Sequence, residues 1–303
     1  MDKINIGGQA VLEGVMMRAP RSIAIAVRRP TGEIVVKKEE LIPISERFPI
    51  TKLPVVRGAV ALFQSLIIGM KALNFSANEA MAEEGQEEKK ELSSWAMAGT
   101  IIFALAFGIL LFFIMPLYLT KLISPAIGNS NILFNLVDGA IRVVVFLLYI
   151  WIISRMNDIQ RVFQYHGAEH KSIFTFEAGE ELTVENVRKH SCLHPRCGTS
   201  FLLIVMVVSI VMFSLIPKAW PFYLKAGSRI LFLPLIAGVS YEFLKWSAKH
   251  DKSAIVKMII APGLALQRLT TKEPDDSQLE VAIKSIEEAL EINGSYSDDR
   301  LVI

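Results

Sequence analysis

A mainly α-helical, polytopic membrane fold is what this sequence predicts, with about four transmembrane helices, a small N-terminal β-hairpin region and a cytosolic loop domain between the second and third helices. Three observations carry that prediction. Long uncharged runs crowd the middle of a chain that is 52% apolar and 20% charged, with a mean hydropathy of +0.42. A period-two stretch precedes them. A window rich in histidine and cysteine, Tyr165 to Phe201, interrupts them.

Charge and cysteine usage narrow the class further. A net charge of +2 gives no reason to expect a nucleic-acid partner. Two cysteines five positions apart do not make a secreted disulfide framework. The start, MDKINIGGQAVLEGVMM, lacks the basic segment, apolar run and cleavage site of a signal peptide, so the N-terminus is expected in the cytosol.

Residues 1–54 form the expected N-terminal β-containing region. Gly7-Gly8-Gln9 reads either as a turn before a strand or as backbone that turns its amides toward an anion or lets another segment approach closely. From Ser22 to Leu41, Ile23, Ile25 and Val27 alternate with small residues, Pro30-Thr31-Gly32 interrupts, and Ile34-Val35-Val36 resumes, which predicts a hairpin. Residues 55–94 follow. The uncharged run between Arg57 and Lys71 is too short to span a bilayer and predicts an interfacial, re-entrant or buried helix; an acidic linker comes after it.

Residues 95–156 hold two expected spans, Trp95 to Thr120 and Ile132 to Met156, the second carrying Asp138 and Arg142 four positions apart. Residues 200–246 hold two shorter ones, Ser200 to Ile216 and Ile230 to Leu244, with Pro234 as an expected kink. The loop between the first two spans has only Lys121, whereas residues 157–199 and the tail are rich in Lys and Arg. That asymmetry places both termini and the His/Cys window in the cytoplasm, although Lys218, Lys225 and Arg229 run against it. In the tail, 247–303, Pro274-Asp275-Asp276-Ser277 starts a helix. Leu279, Ile283, Ile286 and Leu290 then give it an apolar stripe, for packing on the cytosolic domain or for a protein partner.

The chemistry concentrates in residues 157–199. Four of the five histidines (His166, His170, His190, His194) and both cysteines (Cys192, Cys197) fall in the Tyr165–Phe201 window, and a bound metal is the simplest reason for such clustering. This makes the segment a cytosolic metal-binding loop, with a divalent ion, Zn²⁺ first, as cofactor. His166-Gly167-Ala168-Glu169-His170 has the form H-x-x-E-H, which on a helix sets two imidazoles on one face with a carboxylate beside them. Glu169 is then the candidate general base. Cys192, His194, Cys197, Glu177, Glu180 and Glu181 offer further ligands, enough for a closed structural site or an open catalytic one. A staple has no need of a carboxylate between its histidines, which favours catalysis. Glu242 is a further candidate to approach the window, and His250 reads as a surface histidine.

Four stretches, GGQAVLEGVMMR, YHGAEHK, HPRCGTSF and APGLALQRLTTKEP, together resemble the YqhQ-like family of bacterial multi-pass membrane proteins, described as predicted metal-dependent enzymes. The resemblance covers nearly the whole chain. It implies residence in the bacterial inner membrane and a metal site at His166, His170, His194 and Cys197 with Glu169, and it leaves His190 and Cys192 outside the pattern. The expected activity is a membrane-embedded, metal-dependent hydrolase acting at the cytosolic face of the lipid bilayer on a peptide, lipid headgroup or other amphiphile. The alternative is a non-catalytic membrane scaffold or regulator with a structural zinc.

Overall fold

Short apolar side chains and glycines at the N-terminus build more sheet than their pattern announces. The computed structural model describes residues 4–42, 44, 48–82, 94–128, 130–250 and 253–295; the core of the acidic linker lies outside them. Strands β1 (Gly7–Val11), β2 (Gly14–Ala19), β3 (Ser22–Arg28) and β4 (Ile34–Glu40) form an antiparallel meander in that order. The expected hairpin is β3–β4, and two further strands precede it. Gly7 and Gly8 are not a turn; they pair with Arg18 and Met17, and the chain reverses at Leu12-Glu13, where Glu13 takes a φ of +50°.

The sheet is covered on both faces, as the strand alternation requires. Val15, Met17, Ala24 and Ala26 face one way, Met16, Ile23, Ile25 and Val27 the other. Helix α1 (Val56–Ala80) covers the second face with Ala72, Ile68, Leu73 and Phe75. The charge at Lys71 does not end it: Ser76 Oγ accepts the Leu12 N–H at 3.2 Å, and Glu79 meets the Arg29 guanidinium at 2.8 Å. At 25 residues α1 is long and apolar enough to cross a membrane, which corrects the expectation that this run is too short. One side of it nevertheless lies on the sheet, while Leu62, Phe63, Leu66 and Ile67 are exposed.

Two more helices meet the spanning length. Helices α2 (Ser94–Ile109) and α3 (Met115–Ile127) join through a π turn at Leu110–Ile114, so that Ala98–Ile127 is a continuous 30-residue helix. Pro116 has no N–H for the carbonyl four residues back, which explains the widened turn. Helix α4 (Asn131–Ile153) follows, N-capped by Ser130. Helix α7 (Gly198–Ser214), at 17 residues, is apolar but short. Helices α8 (Phe222–Leu231) and α9 (Leu233–Lys249) make a pair bent by 45°, with Pro234 in the first turn after the break.

The His/Cys segment is not a loop. Most of it is helix α5 (Asn157–Ala178), ended by Gly179 in the left-handed region, followed by the short α6 (Val184–Lys189). Helix α10 (Ala254–Thr270), which the sequence pattern does not announce, leads to α11 (Asp276–Ser295). Helices α5 and α11 cover the first face of the sheet. Leu279, Ile283 and Ile286 are buried there, each stabilising the domain by about 1.5–3 kcal/mol, so the stripe on α11 is occupied within the chain. Ser22 Oγ donates to the Ala289 carbonyl, and Ser285 Oγ lies 3.0 Å from the carbonyls of both Val15 and Ala24.

Candidate metal centre

One turn of α5 separates His166 from His170, so both rings leave the same face. Gly167, between them, lets another segment cross that face. A Cβ there would stand 2.1 Å from the Lys272 carbonyl oxygen and 3.2 Å from Cys192 Sγ. The Lys272 N–H donates to the Phe163 carbonyl at 2.9 Å, holding the chain after α10 against the helix. That chain brings the Thr270 carbonyl to 2.8 Å from His166 Nδ1. On the neighbouring ring, Nδ1 of His170 donates to the Cys192 carbonyl.

A carbonyl only accepts, so both Nδ1 atoms carry the proton and both Nε2 atoms present a lone pair. The two Nε2 atoms turn toward Cys197 Sγ. One ligand atom from each of the three residues lies within 4.8 Å of the others, and His166 Nε2 is 3.2 Å from the sulfur. Tetrahedral bonds of about 2.0–2.3 Å put ligand atoms about 3.3–3.8 Å apart, so the trio could hold one small divalent ion with a closure of about 1–1.5 Å at most. His170 Nε2 is buried without a well-formed hydrogen bond, as an unfilled ligand position would be. Burial holds the His170 imidazole below its ordinary pKa, against the opposing pull of Cys197, which keeps it neutral as a ligand must be. Cys197 sits at the N-cap of α7, its sulfur 3.4 Å from the Thr199 N–H.

His194 stands beside this trio rather than in it. Its ring centroid is 5.6 Å from that of His170 and 4.5 Å from that of Phe174. Its Nδ1 accepts the Arg196 N–H at 3.3 Å, which puts the proton of the neutral ring on Nε2; that atom, like His170 Nε2, is buried without a well-formed hydrogen bond, 3.6 Å from Glu177. Burial lowers its pKa to about 4, with Glu169 opposing. Glu169 lies under strand β1. The Gly8 N–H donates to its carboxylate, and a Cβ on Gly8 would be 2.8 Å from Glu169 Cγ. Burial raises the Glu169 pKa, and His166, His194 and the Gly8 N–H each act the other way.

The other candidates point elsewhere. Cys192 contributes its carbonyl; its thiol faces Glu273 at 3.2 Å and is pushed up to about 12 by burial and by that carboxylate. His190 meets Glu180 at 3.2 Å and stacks on Phe174. Glu177 pairs with Arg196, and Glu181 is exposed. Glu242 does not approach the window: it pairs with Arg57 of α1. His250 is exposed and bonded to the Trp246 carbonyl. A cavity of about 630 Å³ is lined by Phe174, Glu177, Pro195, Arg196, Leu244 and Ile260; its wall includes none of His166, Glu169, His170, His194 and Cys197.

The sequence does not single out the carbonyls of Thr270 and Cys192 or Gln267, whereas Gly8, close against the Glu169 carboxylate, matches the alternative reading of Gly7-Gly8 as backbone that faces an anion or admits another segment. Gln267 is fully buried on α10 and bonds the His194 backbone, so APGLALQRLTTKEP belongs to the site. A lone glutamine amid apolar helix positions was the available signal.

Residues 53–292 match the model of a family described as "Protein of unknown function (DUF1385)". The chain is 36% identical over 295 residues to the uncharacterized protein YqhQ of Bacillus subtilis (strain 168), covering 94% of this chain and 92% of that one. No solved structure matches it significantly. The chain belongs to this YqhQ-like family of unknown function.

Proposed function

We propose that this family member is a membrane-embedded, metal-dependent hydrolase working at the cytosolic face of the bacterial cell membrane, with both termini cytoplasmic. The observation that carries the reading is the convergence of His166 Nε2, His170 Nε2 and Cys197 Sγ, with each imidazole tautomer fixed by a backbone carbonyl. These three residues would hold a divalent ion, most naturally Zn²⁺. With His194 off the metal, three protein ligands leave the open position that distinguishes catalytic from structural zinc.

A bound zinc supplies Lewis acidity and acidifies water near neutral pH. The chain supplies the rest. Glu169, between the two histidines in sequence, would accept the proton of the attacking water; burial raises its pKa while His166, His194 and the Gly8 N–H favour the carboxylate form that a base needs. His194, neutral with its proton on Nε2, can offer a hydrogen bond to developing negative charge. The cavity beyond Phe174, whose ring packs on His194, pairs apolar walls (Phe174, Leu244, Ile260) with the polar Glu177 and Arg196, which suits an amphiphile or peptide drawn from the bilayer surface.

The test is metal content by elemental mass spectrometry on detergent-purified protein, followed by a hydrolysis screen on headgroup and peptide substrates. About one ion per chain is expected, lost in His166→Ala and kept in Glu169→Gln, with turnover abolished in both. Wild type that carries no metal after chelator-free purification would sink the reading.

One observation favours a second reading, a scaffold or regulator with a structural zinc. Glu169 is buried against Gly8 and so docks strand β1 onto α5. If Glu169→Gln loses fold and metal together, Glu169 belongs to the scaffold. A protein partner would then meet the charged outer face of α11, since its apolar stripe is occupied.

A further inference from the structure

The apolar helices carry a charge imbalance that the candidate metal centre does not use. Residues 95–154 and 198–241 contain one carboxylate, Asp138, and five cations: Lys121, Arg142, Lys218, Lys225 and Arg229. Asp138 is fully engaged. Its Oδ2 accepts from Arg142 at 2.7 Å and its Oδ1 from Arg229 at 2.8 Å, and all three side chains are at least 97% buried. Arg142 also donates to Ser209 Oγ at 2.7 Å, and both guanidinium groups lie over the Phe213 ring. The π turn leaves the Phe113 carbonyl 3.5 Å from Arg229. Even so, Nε of Arg142 and Nε of Arg229 are buried without partners. The trio is one positive charge in excess in a medium that penalises uncompensated charge.

The remaining cations gather beside it. Lys218 Nζ, which also donates to the Gly128 carbonyl, and Lys225 Nζ lie 5.8 Å and 4.6 Å from the centroid of one ring, that of the buried Phe134, and Lys121 lies over Phe222. Lys225 is in the field of Arg229, Lys218 and Lys121, with Asp138 alone opposing. Phe134 is three residues into α4, and Asp138 is roughly 10 Å from its start at 1.5 Å per residue. The cluster therefore sits at the opposite end of α4 from the helix that carries the candidate metal ligands. Lysines at that end run against the usual charge asymmetry of membrane loops, and a local ligand gives them a reason.

We propose that Lys218, Lys225 and Lys121, backed by Arg229, form a binding site for a phosphate-bearing anion at the non-cytosolic end of the helix bundle. The phosphate comes either from an anionic lipid headgroup or from free inorganic phosphate; the chemistry of recognition is the same, charge-assisted bonds from ammonium and guanidinium groups.

The full chain is reconstituted in phosphatidylcholine nanodiscs, in which the lipid's own ammonium neutralises its phosphate. The thermal unfolding midpoint is then followed in two titrations, one with phosphatidylglycerol and one with sodium phosphate against sodium chloride of equal ionic strength. A saturable rise with the lipid alone assigns a headgroup; a rise with phosphate alone assigns the free anion. In either case Lys218→Gln/Lys225→Gln weakens the apparent affinity at least about tenfold, and Lys218→Arg/Lys225→Arg retains it. No saturable response in the wild type, or an equal response in the Gln pair, overturns the proposal. If the Gln pair does not fold, the wild-type titrations and the Arg pair decide it.

Discussion

Gln267 grips the backbone of His194 from both sides: its Oε1 accepts the His194 N–H and its Nε2 donates to the His194 carbonyl, each at 2.8 Å. The same Nε2 reaches Ser200 Oγ at 3.2 Å, and Gly263, one turn earlier on α10, lies close against Ser200. One buried amide thereby fixes the loop that leads to Cys197 relative to the helix whose end delivers Thr270 to His166. Gln267→Ala orphans two buried backbone groups, at about 1–3 kcal/mol each. The expected outcome is a lower unfolding midpoint together with metal affinity reduced by about 10–100-fold, measured by chelator competition. Unchanged metal affinity would show that His194 and its loop stand apart from the ligand set.

The two cysteines separate the side-chain role from the backbone role. Cys197→Ala removes a ligand atom and is expected to lose the metal. Cys192→Ala keeps the carbonyl that orients His170 and is expected to retain about one ion per chain. Elemental analysis of the two variants side by side decides it, and metal loss in Cys192→Ala would bring that thiol into the coordination sphere.

Gly167→Ala tests the crossing over α5. The added methyl meets a backbone oxygen at 2.1 Å, so the segment at Lys272 must lift. Overpacking of this kind costs about 1–3 kcal/mol. The segment's departure also exposes Cys192, whose thiol touches it. Faster maleimide labelling of Cys192, in a Cys197→Ser background, is the expected readout. Labelling at the parental rate would mean that the helix and the strap accommodate the methyl without moving.

Glu288 gives the sheet domain an acid-sensitive clasp. Hydrogen bonds from Lys284 and Lys38 hold its carboxyl at about 2, tying α11 to strand β4. Because the folded pKa lies below the unfolded one, the stabilisation is complete above about pH 4.5 and is lost as pH falls from there toward about 2. Glu288→Gln removes that dependence. Urea unfolding between pH 6 and pH 3 should show a steeper loss of stability in wild type than in the variant, and parallel curves would refute the clasp.

These residues also mark what the chain discloses before it is folded. The H-x-x-E-H spacing, Cys197 and the stripe on α11 are legible because helical periodicity and ligand type are local properties. The two N-terminal strands were hidden because Gly7 and Gly8 carry no alternation; Gly8 is glycine for the sake of Glu169, distant in sequence. Lys71 reads as the end of α1 because the sheet on which the helix continues to pack is not visible in the local sequence. The carbonyls of Thr270 and Cys192 could not be found at all, since every residue has one and only the fold chooses which is used. His194 sits near the cluster by sequence, yet a single N–H from Arg196 fixes its tautomer.

Asp138 separates pairing from ligand binding inside the bundle. Asp138→Asn leaves Arg142 and Arg229 buried without their counter-charge, and losing one partner of a buried ionic group costs about 3–5 kcal/mol. The expected result is sharply reduced yield of folded protein, with metal content per folded chain unchanged because the candidate centre lies at the other end of α4. The triple change Asp138→Leu/Arg142→Leu/Arg229→Leu removes all three charges at once. It should restore most of the stability, since apolar packing replaces buried ion pairs at little or no cost. What it should not restore is the response to phosphatidylglycerol or phosphate, because Arg229 no longer backs the lysines around Phe134. A triple variant as stable as wild type and equally responsive would confine the trio to structure and leave the anion site to the lysines alone.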